Sequence, residues 1–326
     1  MPPYDRPWKG FEEQIDLLKS RGMEIDDQSS ALHHLKSLGY YRLSAYWYPF
    51  RSFELQQDKV TQAITYIRQD SFVSNTHFSD AVNLYLFDKR LRQLVFDALE
   101  NIEVAIRVDI AHLLGERDTF AHHSIQEFHN SFANKVNRHT GNTRFDDWST
   151  KYVSLLGRSK EDFVKHYRAK HGEDLPIWVA IEIWDFGAMS QLYSMMKVPD
   201  QKAIALKYGV EDWKVFQSWL RSLNYLRNLV AHHSRIWNRN IIDQPKLPKP
   251  GEISWCDSFI GNGALISRSF LLLAITAHLV KIIEPDISWP TDLQHHLDDF
   301  PEQVSDKKLS ISDMGVTEDW KDWWPA

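Results

Sequence analysis

Residues Ser79–Gly115 read SDAVNLYLFDKRLRQLVFDALENIEVAIRVDIAHLLG, and this stretch decides the fold class. Leu84, Phe87, Leu91, Leu94, Ala98, Ile102 and Ala105 recur at three- and four-residue steps, the period of one face of an α-helix. Ser79 is placed to cap that helix and Gly115 to stop it. Outward from it, Phe11–Arg21 predicts a short amphipathic helix with Ile15 and Leu18 on one face, ending at Gly22. Glu211–Asn240 repeats the helical pattern through Phe216, Trp219, Leu220, Leu223, Leu226 and Val230. Leu175–Met196 is a further helical stretch. Ser267–Ile283 is apolar nearly all round and belongs in the middle of a bundle. Strand-like alternation is scarce; Val60–Arg68 could extend. A Pro-rich link, Gln244–Gly251, precedes the apolar helix. The expectation is an all-α helical bundle, with residues 1–75 as a partly helical N-terminal extension and 76–326 as the helical domain.

Bulk properties set limits. The 326 residues include 13 tryptophans, so burial is not limiting. The single Cys256 cannot form an internal disulfide, which suits a reducing compartment. Met1–Phe11 carries three prolines where a leader would carry an apolar run. Phe270–Ile283 is broken by His278 and Lys281 and is shorter than the roughly 20 residues a bilayer requires. A soluble cytoplasmic protein without membrane partners is expected. The net charge of −6 opposes nucleic-acid binding, but its distribution does not. Trp213–Ile242 holds five basic residues and no acid, and Lys135–Gly172 holds nine basic against four acidic. The acid gathers in Asp298–Asp322, with eight carboxylates against three lysines.

The chemistry is concentrated in Leu226–His233, LRNLVAHH. On an ideal helix counted from Phe216, the apolar residues Trp219, Leu220, Leu223, Leu226 and Val230 fall between about 280° and 40°. Asn224, Arg227, Asn228, Ala231, His232 and Arg235 fall between about 20° and 160°, a polar ridge without an acid beside the buried stripe. Such a set suits metal-free cleavage of an RNA phosphodiester. An imidazole can take the proton of a ribose 2′-hydroxyl or give one to the leaving oxygen. A guanidinium can hold the phosphate while charge builds on it. Spacing alone favours the plainer reading, a surface or interface helix with incidental polar residues.

Resemblance shifts that balance. Arg227–Arg239, RNLVAHHSRIWNR, resembles the motif of Abi-like (abortive infection, AbiD/AbiF type) proteins, a branch of the HEPN superfamily. Leu38–Tyr46 (LGYYRLSAY) looks like that family's N-terminal block, and Leu84–Asp88 with Ile102–Arg107 like its central helix. Leu175–Trp178 with Phe186–Gly187 matches a fourth block, and Met314–Gly315 with Trp320 a fifth. The resemblance implies a HEPN-type bundle and a metal-independent endoribonuclease of a phage-defence or toxin system. Arg227 would clamp phosphate, Asn228 orient, and His232 act as general acid/base. No cofactor and no metal are implied. Sites of this kind are composite, so a homodimer is implied, with both subunits lining one groove. A structured small non-coding RNA is a plausible further partner. The alternatives are a non-catalytic RNA-binding module and a dimeric scaffold.

His233, Arg235, Asn224 and Arg239 are expected to contact RNA or to support the trio. Glu103 and Arg107, four apart, read as an intrahelical ion pair of about 0.2–0.5 kcal/mol. The sharper alternative has them buttressing Arg227 or His232. Tyr40, Tyr41, Arg42, Tyr46, Trp47, Tyr48 and Arg51 interleave aromatic and basic residues that could stack bases, and read more simply as core and contact residues. His112, His122, His123, His129 and His139 lack zinc-site spacing and read as incidental. Trp320, Trp323 and Trp324 should dock the acidic C-terminal tail.

Overall fold

A computed structural model describes residues 7–57 and 64–325. With 61% helix against 8% strand, the protein is all-α apart from one hairpin. The chain forms two compact units. One comprises residues 1–91 and 295–313, the other residues 92–294 and 314–326.

In the first unit, α1 (Phe11–Ser20), α2 (Gln28–Leu38) and α3 (Tyr40–Trp47) pack in sequence order. Ile15 and Leu18 of α1 are fully buried, the face its pattern marked. Asp27 caps α2 by accepting the Ser30 N–H at 3.0 Å. Strands β1 (Arg51–Gln57) and β2 (Ile64–Phe72) pair antiparallel, with Phe53 opposite Arg68, Leu55 opposite Tyr66 and Gln57 opposite Ile64. The run expected to extend thus enters β2 from Ile64 onward, while its residues 60–63 lie outside the described ones. The aromatic–basic run divides. Tyr46 and Trp47 are core, with the Tyr46 hydroxyl donating to Asp88 at 2.7 Å, whereas Tyr41 and Tyr48 are exposed.

Helix α4 (Phe78–Gly115) runs through the expected span and passes from one unit into the other. Leu84, Phe87, Leu91, Leu94, Ala98 and Ile102 are all buried. One detail differs. Ser79 lies inside the helix, one residue past its start, and the Asp80 carboxylate accepts the His77 N–H at 3.1 Å. Gly115 ends the helix where expected and is closely packed: a Cβ there would sit 3.2 Å from both Ile177 and Trp178.

The second unit continues with α5 (Asn130–Ala133), α6 (Arg144–Arg158), α7 (Asp162–His171), α8 (Ile177–Ala180), α9 (Phe186–Tyr193), α10 (Val198–Lys207) and α11 (Trp213–Ala231). After them come α12 (Gly263–Ile266), α13 (Phe270–Ile283), α14 (Trp289–Asp298), which ends in the first unit, and α15 (Trp320–Trp323). Every residue of α13 from Phe270 to Ala277 is buried, as its all-round apolarity demanded. Against it packs α11, burying Phe216, Trp219, Leu220, Leu223, Leu226 and Val230, at about 1.5–3 kcal/mol for each large side chain removed from water. Helices α9 and α10 flank α11. Trp320 and Trp324 are buried, and the Trp324 indole donates to the Pro290 carbonyl at 2.9 Å.

Two expected helices are corrected. The stretch Leu175–Met196 is broken: Trp184 is extended, and Asp185 restarts the chain as the cap of α9, accepting the Ala188 N–H at 2.7 Å. The helix expected to reach Asn240 stops at Ala231. His232 is its C-cap, and His233 takes the left-handed conformation at φ 56°. The Ser234 N–H then bonds the Leu229 carbonyl at 2.8 Å and the His233 N–H bonds that of Val230 at 3.0 Å, a Schellman closure. Arg235 and Arg239 therefore do not extend a helical ridge. The chain doubles back, so that Arg239 Nε meets the Tyr225 hydroxyl at 3.3 Å and Ile241 bonds the Ser267 carbonyl.

Candidate functional site

The site lies within the second unit, where the last turns of α11 face the middle of α4 and the start of α9. Leu223, Leu226 and Val230 bury one face of α11, which fixes the helix rotation. Arg227 is thereby turned toward α4. Its Nε lies 3.8 Å from a carboxylate oxygen of Glu103, and its side chain remains 32% exposed. Its terminal guanidinium nitrogens have no hydrogen-bond partner among the described residues.

Glu103 is buried, yet faces two guanidinium groups: Arg227, and Arg107 one turn on, which it grips directly. Arg107 also donates to the Trp184 carbonyl, tying α4 to the break before α9. Burial pushes the Glu103 carboxyl above its ordinary value, and the two arginines pull against that rise. The ion pair expected within one helix forms, and Glu103 in addition reaches across from α4 to Arg227 of α11, while Arg107 steadies Glu103.

Sequence reading missed the α9 side of the site. Asp185 accepts Lys151 Nζ at 2.7 Å while capping α9. Burial would raise its carboxyl, but the bonds from Lys151 and the Ala188 N–H, with the field of Arg227, bring it below the ordinary value. A methyl group at Gly187 would lie 3.2 Å from Asp185 Oδ1, 3.2 Å from Lys151 Nζ and 3.3 Å from Asn224 Oδ1. So Asn224, Asp185 and Lys151 converge over a glycine, beside Arg227. The Asp-Phe-Gly-Ala order was legible as a helix cap; the approach of Lys151 from α6 had no sequence signal.

Asn228 and His232 are exposed on the last turn and cap of α11, and neither side chain has a partner among the described residues. His233 is exposed in its left-handed turn. Arg235 and Arg239 are half-buried in the doubled-back segment, the Arg235 carbonyl accepting Arg239 Nη1 at 3.5 Å. The structure thus groups Arg227 with Glu103, and Asn224 with Asp185 and Lys151. His232 stands at the open end of the same helix.

Of the five sequence-marked histidines, His122 is buried against Tyr152 and Trp184. His129 stacks on Phe132, and His112 and His139 are exposed. Among the described residues, one trio offers ligand atoms within 4.8 Å of one another: Glu24, Asp26 and His77, in the first unit. Both its carboxylates are exposed, and His77 Nδ1 is already 2.7 Å from Asp26. No helix among the described residues is long and apolar enough to cross a membrane.

An all-α protein with this polar helix end belongs to a family that the comparisons identify. The Abi-like protein family matches residues 33–238, nearly two thirds of the chain, and the chain belongs to that family. The match takes in α2 from His33, the whole of α3, α4 and α11, and the doubled-back segment through Asn238. No curated protein and no solved structure matches the chain.

Proposed function

We propose that this protein is a metal-independent endoribonuclease of HEPN type, acting in abortive infection, with Arg227, Asn228 and His232 as its reacting group. One observation carries the reading: Glu103 holds Arg227 from behind by Nε, leaving the outer fork of a partly exposed guanidinium open, about a turn and a half from an exposed imidazole. Membership of the Abi-like family supports the defence role.

The chemistry follows from the groups. A phosphate seated on the Arg227 fork gains a fixed positive charge where the pentavalent intermediate becomes more negative. His232 can take the proton from the 2′-hydroxyl, whose oxygen attacks the adjacent phosphorus, and the 5′-oxygen leaves with a proton. The products are a 2′,3′-cyclic phosphate and a 5′-hydroxyl. One imidazole cannot be base and acid at once, so a second copy of the motif, from a partner subunit, would complete the site. Asn224, Arg235, Arg239 and His233 border the path an RNA strand would take. Lys151 adds a further cation on the same side.

The alternative is a non-catalytic protein that binds a structured small RNA. It is favoured by the ion pair itself, since Arg227 is anchored whether or not it meets a phosphate. His232→Ala separates the two. The enzyme loses cleavage by about 10²-fold or more while keeping its RNA affinity. A binding module is indifferent, and a scaffold falls apart on a sizing column. Cleavage should survive EDTA; a strict metal requirement would refute the proposed site.

A further inference from the structure

The β1–β2 hairpin of the first unit has two unlike faces. One is mainly polar, with Ile67 its exposed apolar residue: Gln69 donates to Glu54 at 2.9 Å, and the Ser52 and Ser71 hydroxyls meet at 2.7 Å. The other carries Phe53, Leu55, Ile64, Tyr66 and Arg68, alternate residues of paired strands. That face is open to solvent, with Tyr66 69% and Leu55 63% exposed. A two-stranded sheet gains little stability alone, and an apolar face this open to water calls for a ligand.

Its charge says which. The Arg68 guanidinium stacks 4.1 Å from the Tyr48 ring centre and 4.3 Å from that of Phe53. Lys307 Nζ lies 5.3 Å from the Phe53 ring centre. Among the described residues, no carboxylate lies within ion-pair distance of Arg68 or Lys307. Asp70 is taken by Arg21 and Arg51, at 3.0 Å each. Three cations, Arg51, Arg68 and Lys307, therefore gather on the Tyr48 and Phe53 rings, and of the three only Arg51 has a carboxylate at ion-pair distance among the described residues. Burial lowers the proton affinity of both Arg68 and Lys307, helped by repulsion from Arg51 at the first and from Arg68 at the second, where Asp313 pulls the other way; a polyanion would relieve that repulsion.

We propose that this face binds single-stranded nucleic acid, with bases on Tyr66 and Phe53 and backbone phosphates on Arg68 and Lys307. Aromatic rings among uncompensated cations accept any base by its π-face, and duplexes, whose bases are already stacked, are poor ligands. The inference adds a second place for RNA but does not rest on the cleavage reading, because the Arg227 segment belongs to the other unit and binding needs no turnover.

The test uses the full chain and two labelled homopolymers of about 16 nucleotides, the upper end of such site sizes: 2′-O-methyl oligo-U, which lacks the attacking hydroxyl, and oligo-dT. Anisotropy should show binding to one or both, and oligo-U alone would assign the face to RNA. Tyr66→Ala should weaken it about fivefold or more, and Tyr66→Trp should restore it. Arg68→Gln with Lys307→Gln should reduce the slope of log affinity against log salt by about 1.4, two phosphate contacts at about 0.7 each. Failure of both strands to bind overturns the proposal, as does wild-type affinity in Tyr66→Ala. A change in oligomeric state with unchanged affinity would make the face a protein interface instead. Loss of cleavage in His232→Ala leaves every one of these measurements untouched.

Discussion

Acid should destabilise the second unit through one buried ring. His122 is 1% exposed, wedged among His123, Tyr152 and Trp184. Neither of its nitrogens has a hydrogen-bond partner among the described residues. Burial, with a smaller push from His123, lowers its pKa from 6.5 to about 3. A group depressed in the folded state binds its proton more readily when unfolded, so stability rises with pH. The contribution is nearly complete at pH 7 and is lost as pH falls below 6.5, down to about 3. Between pH 7 and pH 5 the linkage amounts to about 2 kcal/mol, out of a full span of about 5 kcal/mol. For a domain of this size that corresponds to roughly 4–8 °C of melting temperature. His122→Phe keeps the ring and removes the titration. Chemical denaturation at pH 7 and pH 5 should show the variant losing about 2 kcal/mol less than wild type, and at least as stable at pH 7. Other groups that titrate contribute equally to both proteins and cancel. Equal acid losses in the two, or a His122 resonance titrating near pH 6.5, would refute the reasoning.

Two further perturbations follow from geometry. Gly315 sits at φ 83°, and a Cβ there would lie 2.5 Å from Arg268 Cβ, so Gly315→Ala should cost roughly 2–5 kcal/mol in denaturant unfolding, whereas a loss below about 1 kcal/mol would show that the turn yields. Glu103→Ala strips two arginines of their buried carboxylate and should cost about 3–5 kcal/mol. Glu103→Gln should recover much of that stability while leaving Arg227 less firmly held, so RNA cleavage should fall further than stability does; parallel recovery of both would mean that Glu103 is structural only.

Long-period patterns survived folding because they report a single local geometry. In α4 and α11 the residues the 3.6-residue repeat marked are buried, Ala105 alone being half-buried, and α13, apolar nearly all round, is buried at every residue from Phe270 to Ala277. Boundaries survived less well. Neither His233 nor Asp185 breaks the apolar rhythm, yet one adopts a left-handed turn and the other restarts a helix, each because a side chain or backbone bond formed locally competes with the next helical turn. Glu103 and Arg107 were readable as a pair by spacing, but the reach of Glu103 to Arg227 stood only as an alternative, since spacing describes one helix at a time.

By itself the sequence determined the all-α class and the buried faces of its long helices, because each depends on residues close together in the chain. Only the tertiary structure decided that Glu103 anchors Arg227, that Lys151 and Asp185 close the far side of Gly187, and that His122 is sealed from water. Those are relations between helices, and no periodicity along one chain segment encodes the distance to another.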